Sequence, residues 1–333
     1  MAEFTPRKIL VTGGCGFIGS CYVRMLLARD DGTEVVNLDL LTYSGNPDNV
    51  AEVADDPRYT FVKGDIRDHD AVRKATVGCD AVVHFAAEAQ VDKSITGPEV
   101  FATTNVLGTQ VLLDEARAAG VQRFHYVSTD EVYGHLGADD AKFTEQTLLE
   151  PNSPYSASKA GGELLARSYA KTFGMHLTVT RCSNNYGPYP RMDNLIPVIV
   201  GKALAGEPLP IYGDGSNIRD WLYVEDHCAA ADLVMRQGRS GEIYNVGGNN
   251  ERTNLEIAKV VLAELDQPES LISFVEDRPG HDFRYAIDAS KIKGDLGWQP
   301  THDIETALPR TITWLKDHPE WVKRARKRLT MAA

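Results

Sequence analysis

Cysteine is scarce in this chain. The five present (Cys15, Cys21, Cys79, Cys182, Cys228) are odd in number and scattered over 333 residues. None forms a Cys-x-x-Cys pair or stands with histidine at zinc-ligand spacing, so neither a disulfide framework nor a metal site is expected. Cys15 lies inside a glycine-rich turn and reads as a small filler there. Long apolar runs are also missing. No stretch of about 18 apolar residues occurs, and Met1 to Lys8 carries no apolar leader before the first strand. A reduced, cytoplasmic protein without a membrane partner is the expectation. Nor is there a basic excess: 35 Lys and Arg face 47 Asp and Glu, a net charge of -12. That balance argues against nucleic acid and anionic membranes as partners. It leaves a phosphate-bearing ligand open, because a few Arg side chains and helix N-termini outweigh the global sign locally. Internal repeats, low-complexity tracts and linkers are absent too.

The residues present spell an α/β pattern. Lys8-Ile-Leu-Val-Thr12 is a short apolar run followed by glycines, the signature of a buried parallel strand. Further strands are predicted at 34–39, 60–65, 81–86, 123–128 and 177–181. Helices are predicted at 17–29, 67–77, 97–119 and 156–173 between them. Strands alternating with helices build βαβ units and a Rossmann-type, doubly wound parallel sheet. Beyond about residue 190 the apolar runs shorten and are broken by Gly and Pro, as in Glu207-Pro-Leu-Pro-Ile-Tyr-Gly-Asp-Gly215. This texture predicts a smaller mixed α/β lobe. A strand at 242–246 and a helix at 254–265 are assigned to it. The division is 1–185 for the cofactor-binding domain and 186–333 for the substrate lobe. The boundary is soft, and segments are free to cross it. The tail from Arg324 to Ala333 is expected to fray.

Gly13, Gly16 and Gly19 fit G-x-x-G-x-x-G, and Gly14, Gly16 and Gly19 fit G-x-G-x-x-G. Such glycines let the backbone turn tightly and approach a pyrophosphate seated on a helix N-terminus. Here the motif follows a predicted strand and opens a predicted helix. About 20 residues on, at the end of the second strand, stands Asp39. Its carboxylate suits the ribose hydroxyls of an adenosine and repels a 2′-phosphate, which favours NAD over NADP. Asp65 and Ile66, after the third strand, are candidate contacts to adenine.

Tyr155 and Lys159 are four apart on a predicted helix and share a face. An ammonium beside a phenol lowers the phenol's pKa, so that the phenolate can take a proton from an alcohol while hydride leaves the same carbon. The spacing alone is cheap: Tyr59 and Lys63 share it, but on a strand residues four apart lie about 13 Å from each other. Thr129 is placed to orient the same alcohol. Asp130 and Glu131 sit side by side at the carboxyl end of a strand, where open sheets bind ligands. Adjacent carboxyl groups push each other's pKa values apart, so one serves as acid and the other as base. The bland alternative is a pair of solvated loop acids. Taken together, these parts point to a dehydration that runs through a transient oxidation.

Longer motifs carry a family resemblance that runs from about Lys8 to Trp314. They are Thr12-Gly-Gly-Cys-Gly-Phe-Ile-Gly19, Asp39-Leu-Leu-Thr-Tyr-Ser-Gly-Asn46 and His84-Phe-Ala-Ala-Glu-Ala-Gln-Val-Asp92. They continue through Ser128-Thr-Asp-Glu-Val-Tyr-Gly134, Pro154-Tyr-Ser-Ala-Ser-Lys159 and Asn184-Asn-Tyr-Gly-Pro188. The distal ones are Tyr212-Gly-Asp-Gly215, Arg219-Asp-Trp-Leu-Tyr-Val-Glu-Asp-His227 and Arg278-Pro-Gly-His-Asp282. By these the chain resembles the dTDP-glucose 4,6-dehydratases, extended short-chain dehydrogenase/reductases acting on nucleotide sugars. The Thr-Asp-Glu triplet is the specific part, since related 4-epimerases usually lack the acid pair.

The resemblance implies a tightly bound NAD that is regenerated each turnover, with Gly13, Gly16, Phe17, Ile18, Gly19, Asp39, Asp65, Ile66, Ala86, Tyr155 and Lys159 around it. It implies that Tyr155, tuned by Lys159 and helped by Thr129, deprotonates the glucose 4-hydroxyl as hydride leaves C4. Glu131 then removes the C5 proton, Asp130 protonates the departing 6-hydroxyl, and hydride returns to C6. Glu88 and Asn184 would lie near the sugar, and Arg219 and Arg278 near the pyrophosphate. Pro210 and Tyr212 would flank the base, with Asn254 and Tyr285 near the nucleotide. A homodimer through a four-helix bundle is also implied, with Val111, Leu112, Leu164 and Leu165 as candidate interface residues. The other reading for those four is that they face their own sheet.

The chain departs from the family pattern at Gln90 and Lys93, where many members have His and Arg. It departs again at Arg191-Met-Asp-Asn194, where the usual Glu-Lys precedes Leu-Ile-Pro. Asn194 in place of the substrate-loop Lys keeps a UDP-sugar dehydratase or a 4-epimerase as the alternative. A nucleotide-sensing protein without activity is a third reading, one that would have little use for Thr129, Tyr155 and Lys159 together.

Overall fold

The computed structural model describes residues 4–29, 31–277 and 280–331. In chain order, the first half runs β1 (Lys8–Thr12), α1 (Phe17–Leu27), β2 (Glu34–Asp39), β3 (Tyr59–Lys63), α2 (His69–Thr76) and β4 (Ala81–His84). It goes on through α3 (Val91–Thr96), α4 (Pro98–Ala102), α5 (Thr109–Ala118), β5 (Arg123–Thr129), α6 (Pro154–Phe173) and β6 (Leu177–Cys182). The second half holds β7 (Asn184–Tyr186), α7 (Leu195–Leu204), β8 (Leu209–Tyr212), β9 (Ile218–Tyr223), α8 (Val224–Gln237) and β10 (Ile243–Val246). Then follow β11 (Glu251–Thr253), α9 (Asn254–Glu264), β12 (Ile272–Val275), α10 (Ser290–Leu296), α11 (Ile304–Asp317) and α12 (Pro319–Met331).

A seven-stranded sheet in the order β3-β2-β1-β4-β5-β6-β10 forms the centre, and all its pairings are parallel. This is the Rossmann-type, doubly wound fold expected from the sequence. Its physical basis is legible in β1. Successive side chains point to opposite faces, and both faces are covered by helices, so the whole run must be apolar. Leu10 enters the core under α2, α5 and α6 with Leu38, Val82, Leu112 and Tyr126. Ile9 and Val11 enter the opposite core under α1 and α8 with Tyr22, Leu26, Val224 and Met235. Full burial of each such side chain contributes about 1.5–3 kcal/mol. The strand order reverses between β1 and β4. A crevice therefore opens outside their carboxyl ends, where sheets of this kind bind ligands.

A three-stranded sheet β11-β9-β7 and a two-stranded sheet β12-β8 frame the other side of that crevice. They pack with α7, α9, α11 and α12 around Ile196, Ile211, Ile257, Leu308, Ile312 and Trp321.

Several expectations change. The strand assigned to the smaller lobe, β10, is the seventh strand of the main sheet, with Ile243 paired to Val179. Helix α8 returns with it to cover the face beneath α1. The chain after residue 186 thus crosses back and extends the main sheet past β6. The tail expected to fray is helical through Met331. Trp321 and Ala325 are buried, and Arg324 Nε donates to Asp48 Oδ2 at 2.6 Å. The helix expected at 97–119 is broken by a π-type turn over Thr103–Gly108. Val111 and Leu112 are buried in their own core, while Leu164 remains 53% exposed. The first two therefore take the alternative role, facing their own sheet.

Candidate active site

Tyr155 is positioned by how α6 begins. Ser153 caps the helix, accepting from the Ser156 N–H at 3.1 Å, and the Ser156 hydroxyl accepts from the Ser153 N–H at 3.1 Å. Pro154 is preset for the first turn. This fixes Tyr155 at the start of the helix and Lys159 one turn on, beneath the carboxyl end of β5. Lys159 Nζ donates to the Val127 carbonyl at 2.7 Å and lies 4.5 Å from the centre of the Tyr126 ring. Burial lowers this ammonium to about 8. The phenol of Tyr155 is pushed well above its ordinary value, first by burial and then by the Glu131 and Cys182 charges. The cation that draws Tyr155 downward is Arg191.

Strand β5 ends in the acid pair. The Thr129 hydroxyl accepts from the Glu131 N–H at 3.3 Å and lies 3.4 Å from Asp130 Oδ1. Asp130 is 2% exposed, and its Oδ2 has no hydrogen-bond partner. Burial, then Glu131 and Asp220, push its carboxyl well above the carboxylate range. A buried acid with one oxygen left unpartnered is favoured in its neutral form, which keeps a proton to donate. Glu131, next to it, is partly exposed to the same cavity.

That cavity, about 770 Å³, follows the crevice from the glycine turn to the second lobe. Thr129, Asp130, Glu131, Tyr155 and Lys159 line its middle. Gly13, Gly16, Phe17, Ile18, Gly19, Asp39, Asp65, Ile66 and Ala86 line the end next to α1. Gly13 has φ +71°, and a Cβ there would lie 2.7 Å from the Ala86 nitrogen. A Cβ on Gly19 would strike the Gly13 carbonyl. No side chain caps α1, and its first turn holds no acid. Its amide hydrogens are thus unclaimed by the chain's own side chains and suit a pyrophosphate. Asp39 accepts from the Cys15 N–H at 2.9 Å and the Leu41 N–H at 2.7 Å. Those bonds fix its carboxylate, and each oxygen keeps a lone pair for a ribose hydroxyl. Asp65 is gripped by Arg67, with Nη2 to Oδ2 at 2.6 Å. These residues fit a dinucleotide. The Cys15 thiol is fully buried and raised to about 12, consistent with a filler.

At the other end Glu88, Asn184, Pro210, Tyr212, Arg219 and Asn254 line the wall. Asn184 Oδ1 is buried without a partner. Arg219 donates to the carbonyls of Ile218 at 2.7 Å, Asp282 at 2.9 Å and Phe283 at 3.3 Å, which orients its guanidinium rigidly. Tyr285 is not on the cavity wall. It stands behind Arg219, whose guanidinium lies 4.5 Å from its ring centre, and its hydroxyl donates to Asp282. Arg278 lies outside the described residues.

Sequence reasoning missed two residues. Asn105, in the π-type turn, accepts from the Glu88 N–H at 2.8 Å and donates to the Glu88 carbonyl at 2.9 Å. It also donates to the Ser158 hydroxyl at 2.8 Å, tying α6 to the loop after β4. No local motif signals such a role. Arg191 lines the cavity from the same turn as Asn194. Among the described residues no cluster of His, Cys, Asp and Glu could hold a metal, and no helix is long and apolar enough to cross a membrane.

The chain is similar to several known proteins. The family model for GDP-mannose 4,6 dehydratase matches residues 10–311. A dTDP-glucose 4,6-dehydratase of Neisseria meningitidis is 49% identical, covering 95% of each chain. A dTDP-glucose 4,6-dehydratase of Streptomyces venezuelae, solved with NAD bound, superposes with a TM-score of 0.92 at 49% identity, over 96% of this chain and 99% of that one. A UDP-glucose 4-epimerase of Thermotoga maritima reaches a TM-score of 0.85 at 30% identity, over 93% of this chain and 99% of that one. The chain therefore belongs to the GDP-mannose 4,6 dehydratase family, and within it to the dTDP-glucose 4,6-dehydratases.

Proposed function

We propose that this protein is an NAD-dependent lyase that converts dTDP-glucose to dTDP-4-keto-6-deoxyglucose. The observation that carries the reading is the Asp130 carboxyl, buried beside Glu131 with its Oδ2 unpartnered and pushed well above the carboxylate range, in the same cavity as Tyr155. An epimerase has no use for such an acid. NAD would be held by the residues around the glycine turn and by Asp39, and would supply the hydride chemistry needed at C4 and C6. Tyr155 takes the proton of the 4-hydroxyl, with Thr129 orienting that hydroxyl and Lys159 holding the phenol side of the cavity in place. Glu131 takes the C5 proton, made acidic by the 4-ketone. Asp130 gives its proton to the 6-hydroxyl, which leaves as water, and C5 is later reprotonated. Arg219 serves the pyrophosphate by its fixed donors. Pro210 and Tyr212 hold the base, with Glu88, Asn184 and Asn254 along the substrate.

Residues up to about 185 bind the cofactor and the lobe after 186 binds the nucleotide sugar, with α8 and β10 crossing back. Leu107 and Leu164, exposed on neighbouring helical segments, support a homodimer through that face. Five buried free thiols fit a reducing, cytoplasmic setting. Asn194 on the cavity wall favours one second reading, the same dehydration of a UDP sugar. Incubating the protein separately with dTDP-glucose and UDP-glucose, followed by mass spectrometry, decides: loss of one water from the thymidine sugar supports the proposal. Loss from the uridine sugar alone supports the second reading, and a mass-neutral conversion refutes both.

A further inference from the structure

Lys93 and Arg191, from separate segments, converge on the ring of Tyr43. Lys93 on α3 sets its Nζ 3.7 Å from the centre of the Tyr43 ring, in the loop after β2. Arg191, from the turn before α7, approaches the same ring at 5.7 Å. Gln90 and Asn194 line the adjoining cavity wall. Three separate segments thus meet around Tyr43, next to the reacting end of the cavity.

Arg191 is the member of this group built to touch a ligand. Its Nε donates to Asp193 Oδ1 at 3.1 Å and its Nη2 to Asp193 Oδ2 at 2.8 Å. That clamp takes two of the five guanidinium N–H donors. The side chain is 13% exposed and faces the cavity. It lies near enough to Tyr155 for each to shift the other's titration. Because Asp193 already matches its charge, the pair is neutral as a unit. It presents a rigid fork of donors, suited to neutral hydroxyl oxygens more than to a further anion.

We infer that Arg191 reads the hexose of the nucleotide sugar. Its guanidinium, clamped by Asp193 and backed by Tyr43, donates to ring hydroxyls beside the one presented to Tyr155. The inference rests on the functional reading above and adds to it a specificity-determining residue.

The test compares a nucleotide with its sugar conjugate. In the NAD-loaded protein with Tyr155→Phe to stop turnover, dissociation constants for dTDP and dTDP-glucose are measured by calorimetry, with and without Arg191→Met. The expected result is dTDP affinity within about twofold and dTDP-glucose affinity weakened about tenfold or more, the size of one charge-assisted hydrogen bond. Arg191→Lys should recover part of the loss. Asp193→Asn, which frees the fork without removing it, should show a smaller loss with the same selectivity. Equal weakening of both ligands, or no change in either, overturns the inference. If Arg191→Met does not fold, the Lys and Asp193→Asn variants decide by the same criterion. If the parent protein binds no thymidine ligand, the functional reading fails visibly, and UDP against UDP-glucose decides the role of Arg191.

Discussion

Asp130→Asn should make the protein more stable and less active at once. The carboxyl is 2% exposed, Oδ2 has no partner, and burial with Glu131 and Asp220 keeps it protonated well above the carboxylate range. In the unfolded chain an Asp ionises near pH 3.9, or about that value. Above it the unfolded state releases the proton and the folded state keeps it. Each further pH unit then lowers folding stability by about 1.4 kcal/mol, until the folded pKa is passed. Asn ionises in neither state and escapes this loss. Below about pH 4 the two proteins differ only in exchanging one O–H for an amide N–H₂, a local effect of about 1 kcal/mol. The difference should therefore grow in favour of the variant as pH rises toward neutrality. Loss of the proton donor should slow dehydration by about 10²–10⁴-fold. Urea unfolding of both holoenzymes at a series of pH values, read by midpoint, gives the difference directly. A difference that stays flat with pH would refute the assignment of Asp130 as a resident acid.

Other outcomes follow from the same geometry. Tyr155→Phe removes the phenol that faces the cavity and should cut turnover by about 10²–10⁴-fold, while dTDP binding, measured by calorimetry, stays near that of the parent. Gly13→Ala forces a side chain into φ +71° with its Cβ 2.7 Å from the Ala86 nitrogen. It should cost at least about 1–2 kcal/mol and weaken NAD binding, as read by thermal unfolding with and without NAD. A Tm unchanged under both conditions would contradict the tight approach of backbone and cofactor.

What the sequence made legible was local. Lys8–Thr12 was readable as a strand because burial on both faces forces a continuous apolar run. The glycine turn was readable because Gly13 and Gly19 stand where no side chain fits. The acid pair and Tyr155 were readable because motif and spacing placed them at a strand end and a helix start. What stayed hidden depended on distant partners. Nothing in Ile243–Val246 itself says that it pairs with β6 rather than with the smaller sheets. The π-type turn at Thr103–Gly108 answers to Asn105 reaching Glu88 and Ser158, a contact across elements. The family resemblance put Tyr285 near the nucleotide, but it packs behind Arg219. The resting state of Asp130, open from the sequence, follows from its burial.

The central claim is an elimination performed by Asp130 and Glu131 on a transiently oxidised sugar. The most direct test is to incubate the protein with dTDP-glucose in deuterated water and locate the label by mass spectrometry and NMR. The account predicts loss of one water and one solvent deuterium at C5, with Glu131→Gln giving neither. A product that has lost water but carries no deuterium at C5, or a galactose isomer with its water intact, would contradict it.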